Sequence, residues 1–325
     1  MSASATMNWP EENPPPSSET FTHLHWSPSL QAWVSTHNSG WFRLWNADGS
    51  PRLTVSETRW HGMPGDAAVS PEGASVYMLR PGNGLVVWDA RTGVRRATHP
   101  PHPFYAHRLR VSLDGQRLAA IAYVHEGELL CAVDTDGTRA LVDWVEWETE
   151  LLDIVFSPEG DRLWVLHLDD ERRRLLFAPR NPVTLTEMEA RRPVASDISL
   201  SLYPVLDAHG RQVAYARGHA PATFEVLSLE SGQVIATVQS GWEVPTRLAL
   251  RGRWLAVANA RGDVERWDLE AGRRVDPGPL RGPDESVRVL ALDDAGSVAV
   301  GTTAGRLFVL TTPVQDRGPC IPSVD

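Results

Sequence analysis

Lysine is missing altogether: all 31 residues in the Lys-plus-Arg total are arginine. A GC-rich coding sequence, which favours Arg codons, accounts for this without invoking function. A sharper reading places the chain beside chemistry that modifies lysine amines, such as a protein-tagging or acyl-transfer system. Ordinary lysine numbers in relatives from other backgrounds would end that idea. Cysteine is scarce as well. Cys131 and Cys320 are too few and too far apart in sequence to form a disulfide scaffold, which points to a reduced, cytoplasmic protein. No apolar run approaches the length of a membrane span, so no membrane partner is expected. The opening stretch MSASATMNWPEENPPPSSE has neither a basic start nor an apolar h-region, so no secretory signal is expected. A surplus of cations is lacking too. The net charge of −10 argues against nucleic acid as a partner, because phosphate binding draws on excess positive charge.

What the chain does have is a repeat. Val69 to Gly93, VSPEGASVYMLRPGNGLVVWDARTG, reads as three short strands separated by Ser-Pro-Glu-Gly and Pro-Gly-Asn-Gly turns. A sheet this small cannot bury its own faces, so it needs copies of itself. The apolar-Ser-Pro-x-Gly element returns at Trp26-Ser27-Pro28, Val111-Ser112-Leu113-Asp114-Gly115 and Phe156-Ser157-Pro158-Glu159-Gly160. Weaker copies follow at Leu206-Asp207, Leu250-Arg251 and Leu292-Asp293. A Trp-Asp element recurs at residues 45, 88, 133, 177, 227, 267 and 310, in steps of 43, 45, 44, 50, 40 and 43 residues. Such spacing is the period of four-stranded propeller blades. With 42 % hydrophobic residues the chain can fill a core of that size.

These residues, with Trp88-Asp89, Thr92-Gly93 and Trp267-Asp268-Leu269-Glu270-Ala271-Gly272, resemble the WD40 family in a degenerate, bacterial-type form. Ser39, Gly82 and Arg261 stand where the family places an Asp six residues before the Trp. The fold expected is all-β: one seven-bladed propeller of four-stranded antiparallel blades over residues 20–312. Residues 1–19 form a segment and Pro-rich linker that can close the ring with an N-terminal strand around Ala3 to Trp9. The rival closing strand is Thr312 to Asp316, disfavoured by the prolines of the 313–325 tail.

Inner-strand positions one and three before the serine-equivalent are apolar in every copy, as in Leu24/Trp26 and Ile154/Phe156. Four before it stand His23, Asp66, Arg108, Asp153, Tyr203, Arg247 and Val289. The resemblance puts this position near the central channel, so six polar side chains would ring the axis. Their alternating signs suggest a plug of ion pairs, and the functional reading is an axial pocket for a polar ligand. No metal is expected there, because Arg108 and Arg247 would repel one. The His99, His102 and His107 cluster fits no zinc spacing either.

Nine or ten residues before the serine lies the loop that enters each blade, on the face WD40 proteins commonly use for partners. Trp60 and His61, His102 near Tyr105, Trp147 and Trp242 fall there, with Arg80, Arg172, Arg173 and His219 in loops on the same side. Exposed rings with an arginine rim would make a protein interface, whereas buried ones would only pack. No catalytic motif or cofactor-binding loop is found, and no cofactor is expected. The function expected is a non-enzymatic scaffold that binds proteins or peptides through the loop face. A propeller enzyme of the lactonase or hydrolase type, using Asp66, Asp153 and His23, is the alternative. A small-molecule or glycan sensor is a third.

Overall fold

A computed structural model of the chain describes residues 20–55, 65–80, 84–99, 105–124, 127–144, 149–169, 173–199, 202–217, 223–242, 245–259, 262–275 and 286–311. Twenty-seven β-strands and no helix run through the described residues. They pair in chain order into seven antiparallel sheets, six of four strands and a last of three. The chain is a seven-bladed β-propeller. Its inner strands are Phe21–Ser27, Ala67–Val69, Tyr105–Val111, Glu150–Phe156, Val205–Leu206, Pro245–Arg251 and Val287–Leu292, one for each of blades 1 to 7. Both candidate closing strands lie outside the described residues. No helix among those residues is long and apolar enough to cross a membrane.

The repeated serine has a local task. Ser70 Oγ accepts the N–H groups of Ala74 (3.1 Å) and Ser75 (3.0 Å), closing the first turn of blade 2 while Gly73 takes φ 73°. Ser112 and Ser157 do the same for Arg117 and Arg162, and the Asp293 carboxylate substitutes in blade 7. Turns of this kind fix the register between strands. Across the second and third strands Trp33 faces Trp45, Val76 faces Trp88 and Leu118 faces Val133.

In blade 4 the equivalent pair is Leu163 and Arg180, so the spacing of the sequence repeat is corrected here. The Trp-Asp position is Arg180-Asn181, not Phe177-Ala178. Asn181 Oδ1 accepts from the N–H groups of Val183 (2.8 Å) and Thr184 (3.1 Å), as Asp89 does from Arg91 and Thr92. The apolar match at Phe177 misleads because a buried arginine occupies the aromatic slot. Arg180 is held there by ion pairs to Asp143 and Glu187 and a bond to the Leu185 carbonyl.

Seven apolar clusters build the core, and each joins one blade to the next. The last closes the circle: Val289, Ala291, Ala299 and Leu307 of blade 7 pack on Phe21, Trp26, Trp33 and Trp45 of blade 1. Polar contacts bridge this seam and the one before it. Asp294 of blade 7 accepts from Trp26 Nε1 of blade 1 (3.2 Å) and pairs with Arg251 Nε of blade 6 (2.6 Å). At Gly301 the packing leaves no room, since a Cβ would lie 2.5 Å from Val289 Cγ2 and 2.8 Å from Phe21 Cγ. Gly301→Ala is therefore expected to destabilise the protein by about 1–3 kcal/mol in urea unfolding. An unchanged midpoint would mean that the blade 7 to blade 1 seam is loosely packed.

Candidate functional site

In five inner strands the pairing register slips by one residue, at Thr22, His107, Leu152, Thr246 and Arg288. Each stands immediately before the expected axial position. A bulge sets two successive residues against one partner and re-aims what flanks it. Its effect is visible in the packing. Phe21, Ala106, Leu151 and Val287, just before the slip, join the clusters of the residues that lie three before the serine. Strict alternation would have turned them the other way.

The hub of the channel is Arg110, two residues beyond the expected Arg108. Its Nη1 donates to Asp66 Oδ2 and its Nη2 to Asp153 Oδ1, both at 3.0 Å, so one guanidinium spans blades 2, 3 and 4. The carboxylates are fixed from behind. Asp66 accepts the N–H groups of Ala67 (2.9 Å) and Leu109 (3.1 Å), and Asp153 accepts that of Ile154 (2.9 Å). Arg108 stands at the edge, its Nε 3.8 Å from Asp153 and its Nη1 on the His107 carbonyl. His23, with Nδ1 3.1 Å from Thr36 Oγ1, and His25 complete the arc on blade 1.

Electrostatics follow from that geometry. Burial lowers both His23 and His25 to about 4, against the opposing pull of the Asp66 charge. For Asp66 burial acts upward, but His23, Arg110, His25 and Arg108 together bring its carboxyl down to about 2. Burial likewise loosens the proton of Arg110, and Asp153 and Asp66 outweigh it, holding the guanidinium above its ordinary value. At neutral pH the arc is an ion triad beside two neutral imidazoles.

The axial residues named from sequence thus divide. His23, Asp66, Arg108 and Asp153 come together around Arg110. Arg247 lies across the channel with its Nε on the Arg288 carbonyl and its Nη1 on the Thr246 carbonyl, both at 2.5 Å. Tyr203 is 57 % exposed. The sequence does carry a signal for Arg110 and His25. They stand two before the serine, on the same face as the position four before it.

On the loop face, Trp60, His61, Trp147, Arg172 and His219 lie outside the described residues, as do the side chains of Arg80 and Tyr105. Trp242 is half-buried and packs on the cluster between blades 5 and 6. Arg173, at φ 48°, donates from Nε (3.0 Å) and Nη2 (2.7 Å) to the Ile198 carbonyl, tying its hairpin to the entry of blade 5. The same face also carries Tyr123, 44 % exposed, near Tyr203. The Tyr123 ring stacks on His107 with centroids 4.1 Å apart. Burial, then Glu128, Glu150 and Tyr203, push the Tyr123 hydroxyl up to about 12. Glu128 Oε2 accepts the Leu151 N–H at 2.6 Å, while its buried Oε1 has no hydrogen-bond partner among the described residues. Burial raises the Glu128 carboxyl as well. Tyr123 is the next-to-last residue of the apolar run Leu118 to Val124, so the sequence presents it as core.

No protein-family model matches the chain, and no curated protein matches it. Solved structures do. The chain is similar to the β-propeller domain of Myceliophteria thermophila Cps50 (Swd1), with a TM-score of 0.68 and 15 % identity over 91 % of this chain and 97 % of that one. It is also similar to Kuenenia stuttgartiensis hydrazine synthase, with a TM-score of 0.69 and 14 % identity over 94 % and 100 %. Likeness at this level of identity shows the fold alone.

Arg110→Met strands two carboxylates and is expected to cost roughly 3 kcal/mol by chemical denaturation. Adding Asp66→Asn and Asp153→Asn should recover most of that loss. A single variant as stable as the parent would mean the triad is not a structural clamp. The histidines predict a pH dependence. Unfolded, His23 and His25 take up protons below about pH 6.5; folded, they stay neutral down to about 4. The unfolded chain binds more protons in that window, so stability is full above it and falls as pH drops through it. The thermal midpoint should decline between these values, less steeply in His23→Gln/His25→Gln. Equal slopes would contradict burial as the cause.

Proposed function

We propose that the chain is a non-enzymatic binding platform, a WD40-like propeller that docks proteins or peptides on its loop face. The observation that carries this reading is the Tyr123 and Tyr203 pair, exposed together, with Tyr123 stacked on His107. Tyrosines of this kind offer large contact area at small entropic cost. Glu128 and Glu150 alongside suit a partner that presents a basic side chain with apolar flanks. A cytoplasmic setting beside lysine-modifying chemistry fits the lysine-free composition. The alternative, an enzyme with an axial site, shares its class with the neighbour named hydrazine synthase. Against it, Asp66, Asp153 and Arg110 are engaged with one another and with backbone N–H groups.

The test is to capture a partner with the tagged full chain, then measure its affinity for variants. Tyr123→Ala/Tyr203→Ala should weaken binding by about tenfold or more. Leu113→Ser, exposed on the opposite face, should leave it unchanged. The reverse pattern would move the interface to the other side of the ring. Turnover abolished by Asp153→Asn at unchanged stability would favour the enzyme.

A further inference from the structure

The arginines of the channel are treated in two ways. On blades 2 to 4 Arg110 sits between two carboxylates. On blades 6 and 7 Arg247 and Arg288 have no acidic partner among the described residues. Arg247 is half-buried, and both of its hydrogen bonds among the described residues end on neutral carbonyls, at Arg288 and Thr246. Its Nη2 has no partner among the described residues. Arg288 is the bulged residue of its strand and is exposed. Burial lowers the Arg247 guanidinium from its ordinary value, and the Arg288 charge lowers it further. Two neighbouring cations, one of them half-buried, are unfavourable unless an anion joins them. Nor is this a generally basic surface, since the whole chain carries a net charge of −10.

We propose that Arg247 and Arg288 form a binding site for one oxyanion group, a carboxylate or a phosphate, where the channel opens between blades 6 and 7. The carbonyl bonds fix Arg247 through Nε and Nη1, which leaves Nη2 to donate. Arg288, placed outward by the bulge, supplies the second charge. A planar fork beside a second cation is the arrangement that recognises carboxylate and phosphate oxygens. The group can come from free phosphate or from the acidic side chains of a docked peptide. The proposal does not rest on the loop-face platform, which uses residues of blades 3 to 5.

The experiment is calorimetric titration of the full chain at low ionic strength with inorganic phosphate and, separately, with a tetraglutamate peptide. Arg247→Gln, Arg288→Gln, the double variant and Arg253→Gln are compared. Arg253 is a control on the opposite face, paired with Asp268 and Glu270. Thermal midpoints confirm that each variant is folded, and exposed Arg288 keeps the test valid if Arg247→Gln is not. Saturable millimolar or tighter binding is expected, weakened about tenfold in each single variant, lost in the double and unchanged in Arg253→Gln. Tighter binding of phosphate identifies a free-anion site, and tighter binding of tetraglutamate identifies a peptide carboxylate site. Saturable binding that survives in the double variant overturns the proposal, as does its absence for both probes in the parent chain.

Discussion

Apolar contact between neighbouring sheets is the constraint on which everything else depends. Among the described residues no cluster lies within a single blade; each joins one blade to the next. Burying a Leu or Phe side chain contributes roughly 1.5–3 kcal/mol, so these seams outweigh any single turn or motif residue. That is why the repeat can decay. Trp45, Trp88 and Trp267 hold the position that Val133, Leu227, Leu310 and even Arg180 hold elsewhere. Apolar bulk on the correct face suffices, and where it fails a buried arginine with two acidic partners stands in.

The same packing explains the channel. Five of the inner strands carry a bulge at one equivalent position, next to the loop face, which bends the strand there. Each bulge releases a residue from the alternation. Two of those released residues matter chemically: His107 supports Tyr123, and Arg288 stands beside Arg247. The Arg110 triad then locks blades 2, 3 and 4, with Asp66 and Asp153 both facing the strand between them and Asp153 standing directly after the Leu152 bulge.

Blade number, order and inner-strand faces could be read from the sequence because they follow from period and alternation alone. Val69 and Ala67 pack inward for the same reason that Ile154 and Phe156 do. What could not be read was anything that breaks the alternation. Arg180 was hidden because an apolar Phe177 three residues earlier satisfied the pattern. Tyr123 sat near the end of an apolar run, and only the depth of the sheet decides where burial stops. Arg288 looked like any exposed strand residue until the slip beside Val289 was known. Trp242 marks the reverse case: a ring in a loop-face position that packs between blades.

The central claim is that seven sheets, each insufficient alone, stand only as a closed ring. Native-state hydrogen exchange of amides in the second strand of every blade tests it most directly. The account predicts one common opening free energy for Val34, Met78, Ile121, Val165, Ala214, Val257 and Val300, lost together under mild denaturant. Blades that exchange through separate, unequal openings, with one melted while the others stay protected, would contradict it.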